Sequence, residues 1–284
     1  MTNTNKTSKT KAVLLACGIA LAGILLHRLG GFLIRKLPIE TYWYQRLLIQ
    51  TVSALLSCGW LFLFRKQFVL REKGKPFRTY WIPVLCVLLY CLTVTLRQFL
   101  SQKGALRPVP EIIAYCLTIL LVGVSEELLH RGVILNILTA AFGTKTFAGA
   151  VISCFVCGTL FGLIHFFNIF SGIALSAVTV QVIGATGAGW LLSAVYLRSR
   201  NIWLMILLHA FVDFGSMFVQ GFFAGDGTVE SAIGSNASPE ITGIVLIFSA
   251  IIQLTFFGAV SVLLLRKSAM GYPEEPAVPQ KNSC

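Results

Sequence analysis

Apolar residues run along this chain in long blocks separated by short polar stretches, without the strict alternation of a membrane strand. Eight blocks can be drawn, at 12–26, 47–64, 80–96, 111–142, 147–167, 172–197, 202–223 and 241–265. A bilayer core of about 30 Å asks for about 20 apolar residues per helix. The pattern therefore predicts an all-α, polytopic membrane protein with about eight transmembrane helices. No segment between the blocks is long enough for a soluble domain. The polar start, with Lys6, Lys9 and Lys11, leads into a first block read as a start-transfer helix that stays in place, since further apolar blocks follow it. The tail from Gly271 to Cys284, with Pro273, Pro276 and Pro279, reads as disordered.

Composition agrees. Apolar residues make up 56% of the 284 positions and charged residues 12%, about half the charged share of soluble domains. The net charge of +12 lies mostly at block ends, as at Arg65, Lys66, Arg71, Lys73, Lys75 and Arg78. Such charge sets topology and meets anionic lipid head groups. No basic helix or aromatic platform accompanies it, so nucleic acid is not an expected partner. The loops that alternate from the N-terminus carry 15 Lys and Arg against 6 for the intervening ones, which predicts a plasma-membrane protein with both termini cytoplasmic.

 The stretch from 224 to 239 holds Asp226 and Glu230 and no Lys or Arg, as an external loop should.

Seven of the eight cysteines, Cys17, Cys58, Cys86, Cys91, Cys116, Cys154 and Cys157, fall in apolar blocks, where cysteine acts as a small hydrophobe. The lone CxxC at Cys154 and Cys157 has no second pair and is a weak metal or redox signal. Cys284 is the last residue and not fourth from the end, so it is not a prenylation box. Gly158 and Gly162 form a GxxxG that brings helix backbones together in lipid. The cluster Gly184, Gly187 and Gly189 is read as packing, with a bend or unwinding around a cavity as the alternative.

Against this background the ionisable residues inside the blocks stand out, because charge in a membrane is expensive and is normally kept for function. The block at 111–142 carries Glu126, Glu127, His130 and Arg131 within six positions. Glu127 and Arg131 stand four apart, acid first, and can pair within one helical turn. Glu126 is rotated by about 100° from Glu127 and shares its face with His130, which makes it the better candidate for chemistry. Two later blocks each hold a histidine, in Phe161 to His165 and in His209 to Asp213. His165 alone is as readily a packing residue as a functional one, whereas His209 and Asp213 share a helix face. Carboxylates with imidazoles are the groups that activate water on a carbonyl. These residues imply a buried polar site at the centre of the helices.

The motifs EExxxR at Glu126 to Arg131, FxxxH at Phe161 to His165 and HxxxD at His209 to Asp213, in this order on separate membrane helices, resemble those of the CPBP family. That family comprises the CAAX proteases and the bacteriocin-processing or immunity proteins also called Abi. The resemblance covers about residues 110–215. It implies an intramembrane endopeptidase in which Glu126 and His165 hold and activate the attacking water, while His209 and Asp213 stabilise the oxyanion. Glu127 and Arg131 complete the implied catalytic set. The chain divides accordingly into N-terminal membrane helices at 1–105, a catalytic core at 106–220, a last membrane helix at 221–270 and the tail.

Asp213 departs from the pattern of the prenyl-peptidase branch, which has an asparagine there. An ionised carboxylate accepts hydrogen bonds and does not donate to an oxyanion. Asp213 is left with three roles: fixing the tautomer or charge of His209, acting as a protonated donor, or joining Glu126, His165 and His209 around a divalent ion such as zinc. The metal-free site, needing no cofactor, is the preferred reading. The expected partners are a membrane-protein or peptide substrate and the lipid bilayer. A non-proteolytic immunity or scaffold protein of the same fold is the alternative function, and a transporter lacks the expected repeat between halves. With straight helices, His165 falls near the external end of its block and His209 about 12 Å from the cytoplasmic end, which keeps the two apart.

Overall fold

With no water in the bilayer core, backbone polar groups must find partners within the protein, and apolar segments meet that demand by closing their hydrogen bonds as helices. The computed structural model describes residues 3–102, 104–144, 146–225 and 239–266. In chain order the helices are α1 (Asn3–Ile34), α2 (Tyr42–Leu63), α3 (Trp81–Ser101), α4 (Val109–Glu127), α5 (Leu135–Phe142), α6 (Phe147–Leu163), α7 (Leu175–Ser199), α8 (Ile202–Ser216), α9 (Phe218–Phe222) and α10 (Pro239–Leu265). A π-helical stretch, Leu128–Ile134, joins α4 to α5, and a 3-10 stretch, Ile164–Ser171, extends α6. The expectations for Lys145, for Asp226 and Glu230, and for the tail from Gly271 to Cys284 lie outside the described residues.

Seven helical segments among the described residues are long and apolar enough to cross a membrane. The chain is an integral, multi-pass, all-α membrane protein. The seventh expected block, 202–223, does not form one long helix. It breaks at Met217 into the 15-residue α8 and the five-residue α9, and α8 at 1.5 Å per residue spans about 22 Å. Just beyond α9, Phe223–Ala224 pairs antiparallel with Ala105–Leu106. This short strap holds the start of α4 beside the end of α9.

Large apolar side chains such as Leu14, Phe32, Leu55, Phe62 and Phe248 are exposed on the outside of the bundle. Such a surface is a liability in water and suits lipid. Inside, α2 runs parallel to α4, with Trp43 against Tyr115 at 4.9 Å between ring centroids. Helix α7 packs on α6 and on α10, and α8 packs on α3 and α4. The α6–α7 contact depends on glycine: a Cβ on Gly158 would stand 2.5 Å from the backbone nitrogen of Trp190, and one on Gly162 would collide with Thr186. The GxxxG thus brings two backbones together, as expected. Helix α7 continues unbroken through Gly184, Gly187 and Gly189, so these glycines serve packing and do not unwind it. At the far end of α7, Glu72 accepts from the Tyr196 hydroxyl at 2.9 Å and from Arg200 at 2.6 Å, tying the basic loop before α3 to the bundle.

Candidate active site

Helix α4 delivers two adjacent glutamates to different environments. Glu127 is sealed, with its side chain 0% exposed, and Arg131 is equally sealed. The pair expected within one turn forms, Arg131 Nη1 donating to Glu127 Oε1 at 2.6 Å. Arg131 also donates from Nη2 to the Gly189 carbonyl at 2.9 Å, which reaches across to α7. Glu126, a residue earlier, keeps 29% of its side chain exposed and lines a cavity of about 920 Å³. The π-helical stretch begins directly after this pair, and π-turns are rare features that recur at functional sites.

His209 comes from α8. Its Nδ1 lies 2.6 Å from Glu127 Oε1, and since that oxygen also accepts from Arg131, Nδ1 donates. That leaves Nε2 to face Glu126 Oε2 and Asp213 Oδ2, each at 3.6 Å. The His209 ring is therefore held by Glu127, whereas sequence reading offered control of its tautomer or charge to Asp213. Both distances at Nε2 exceed a hydrogen bond, so the Asp213 carboxylate is a charged neighbour of His209 and not its orienting partner.

His165 stands at the junction of α6 and the 3-10 stretch. Its Nδ1 donates to the Phe161 carbonyl at 2.9 Å, so a neutral ring offers Nε2 as an acceptor. His165, His209, Asp213 and Glu126 all line the one cavity. The separation foreseen between His165 and His209 does not occur, because the two blocks end elsewhere. The first continues helically to Ser171, and the second stops at Ser216. Each histidine thus lies about 10–12 Å from the same end of the bundle, at roughly 1.5 Å per residue in α8 and 2.0 Å in the 3-10 stretch.

Two residues outside the expected set contribute. The Phe161 ring, 4% exposed, has the His130, His165 and His209 rings at 5.0, 5.1 and 5.6 Å and the Arg131 guanidinium carbon at 5.0 Å. It spaces three imidazoles and a guanidinium around one apolar surface, and the FxxxH pattern was the signal for it. His27, on α1, also lines the cavity and has Nδ1 2.7 Å from Ser53 Oγ on α2. The polar pair His27 and Arg28 ends the first apolar block at residue 26, yet α1 continues about two turns past it to Ile34. Arg28 donates to Ser171 Oγ at 2.8 Å and to the Phe167 carbonyl, tying α1 to the stretch that carries His165.

A metal ion needs several ligands converging at about 2 Å. His209 approaches Glu126 and Asp213, but among the described residues no three His, Cys, Asp or Glu side chains gather closely enough to hold an ion. The groups present are carboxylates and imidazoles around one cavity.

Residues 108–215 match the family model described as type II CAAX prenyl endopeptidase Rce1-like. This segment contains all three motifs, so the resemblance to the CPBP and CAAX proteases is supported over it. No curated protein and no solved structure matches the chain.

Proposed function

We propose that the protein is an intramembrane endopeptidase that works without a metal, with Glu126 as general base and acid. The observation that carries this reading is the division of labour between the adjacent glutamates. Glu127 is consumed by Arg131 and His209, while Glu126 faces the cavity with His165, His209 and Asp213.

A water between Glu126 and His165 would meet two acceptors, the carboxylate and the Nε2 left bare by the Phe161 carbonyl. It donates one hydrogen to each and turns a lone pair outward, toward a peptide carbonyl. Glu126 takes the first proton as the C–O bond forms and returns it to the leaving nitrogen as the C–N bond breaks. His209, as the imidazolium, donates Nε2–H to the oxyanion. Its surroundings support that form, since carboxylate oxygens of Glu126, Glu127 and Asp213 all lie within 3.6 Å of its ring nitrogens. Glu127 holds the ring at the angle this requires.

The basic-residue bias further supports an orientation with both termini in the cytoplasm of a plasma-membrane protein. The cavity then lies nearer the outer surface, since His27, His165 and His209 approach the end at which α1 finishes. Cleavage of a peptide library by wild type and Glu126→Gln protein, each with and without a chelator, tests the reading: activity should vanish in the variant and survive the chelator.

A further inference from the structure

Among the histidines of the cavity, His27 has no part in the chemistry above. We propose that it is a substrate-positioning residue whose Nε2 accepts a hydrogen bond from a backbone N–H of the bound peptide. The proposal rests on the endopeptidase reading and deepens it by adding an α1 contact to the site.

A serine hydroxyl has one hydrogen, and Ser53 gives it to the Ile49 carbonyl one turn back, at 2.9 Å. Its oxygen is then left to accept, and the donor at 2.7 Å is Nδ1–H of His27. A neutral imidazole protonated at Nδ1 carries its lone pair on Nε2. The relay from His27 through Ser53 to Ile49 thus fixes a tautomer. A histidine kept only for packing would have its second nitrogen paired or sealed. Nε2 of His27 has no hydrogen-bond partner among the described residues and is not among the buried polar atoms, and the ring lines the cavity.

The position of this acceptor says what it meets. Glu126 and His165 already take both hydrogens of the attacking water, so His27 faces a different donor. A peptide lying in the cavity brings backbone N–H groups out of water, and each one left unpaired is costly. His27 stands on the α1 wall of the cavity that Glu126 also lines, while His209 and Asp213 come from α8. An extended chain with its carbonyl at Glu126 therefore has an acceptor on the wall that α8 does not form.

The test uses the full-length protein in detergent and a fluorogenic peptide that the wild type cleaves. His27→Leu should raise KM about tenfold with kcat little changed, the signature of lost uniform binding. His27→Gln, which keeps an acceptor oxygen, should recover most of the loss. Ser53→Ala frees the tautomer and should weaken binding in the wild-type background but add nothing to His27→Leu. Nitrogen-15 NMR of labelled histidine should show Nδ1 protonated at His27 and the preference lost in Ser53→Ala. If His27→Leu folds poorly, the Gln and Ser53 variants and the NMR signal carry the test. Wild-type kinetics in His27→Leu, or a Ser53→Ala effect that persists in its background, overturns the proposal alone. If no peptide of a fluorogenic library is cleaved by the wild type, with the tautomer as stated, the endopeptidase reading and the substrate contact are overturned together.

Discussion

One oxygen of Glu127, Oε1, lies 2.6 Å from Arg131 Nη1 on its own helix and 2.6 Å from His209 Nδ1 on α8. This carboxylate joins the EExxxR and HxxxD motifs into one unit and sets which nitrogen of His209 faces the cavity. Glu126, its neighbour in sequence, is left for the substrate side.

The two glutamates should therefore respond differently to the same change. Glu127→Gln removes the charge from a fully buried pair, and breaking such a pair by losing one partner costs about 3–5 kcal/mol. Glu126→Gln should shift stability by less than about 1 kcal/mol, since its carboxylate only approaches His209, at 3.6 Å. Thermal melts of both variants in detergent check this, and equal melting would contradict the division of roles.

Asp213→Asn should keep activity within about tenfold of wild type, because Glu127 and not Asp213 orients His209. Steady-state cleavage rates measure it. A complete loss, as for Glu126→Gln, would make Asp213 part of the chemistry.

Phe161→Leu preserves an apolar side chain but removes the ring that His130, His165 and His209 all border. Each aromatic contact is worth about 0.5–1.5 kcal/mol, so a modest drop in melting temperature should accompany a larger loss of cleavage, of about tenfold or more, as the imidazoles lose their spacing.

Gly158→Ala should destabilise the bundle by about 1–3 kcal/mol through overpacking, because the new methyl meets the Trp190 backbone at 2.5 Å. Gly59→Ala is the control: nothing lies within 4 Å of its Cβ position, and the helix gains about 0.5–1 kcal/mol of propensity. Melts of the two should move in opposite directions.

The helical architecture and the three motifs were legible because apolar blocks and the charges inside them are local features of sequence. The Glu127–Arg131 pair was legible for the same reason, as an offset of four on one helix. Its third member was not, since helical periodicity does not say which residue of α8 will face α4. The meeting of His165 with His209 was hidden by block boundaries: Ile164–Ser171 is apolar enough to continue the helix, and Met217 interrupts a run that hydropathy reads as unbroken. His27 was hidden in the opposite way, a polar residue taken for the end of a helix that continues past it to Ile34.

The central claim is that Glu126 performs hydrolysis without a metal, and the most direct measurement is cleavage of a fluorogenic peptide library by purified wild type and Glu126→Gln, with a strong chelator added to each. The account predicts cleavage by wild type, unchanged by the chelator, and none by Glu126→Gln with its fold intact. Cleavage by Glu126→Gln at the wild-type rate, or loss of wild-type activity on chelation, would contradict it.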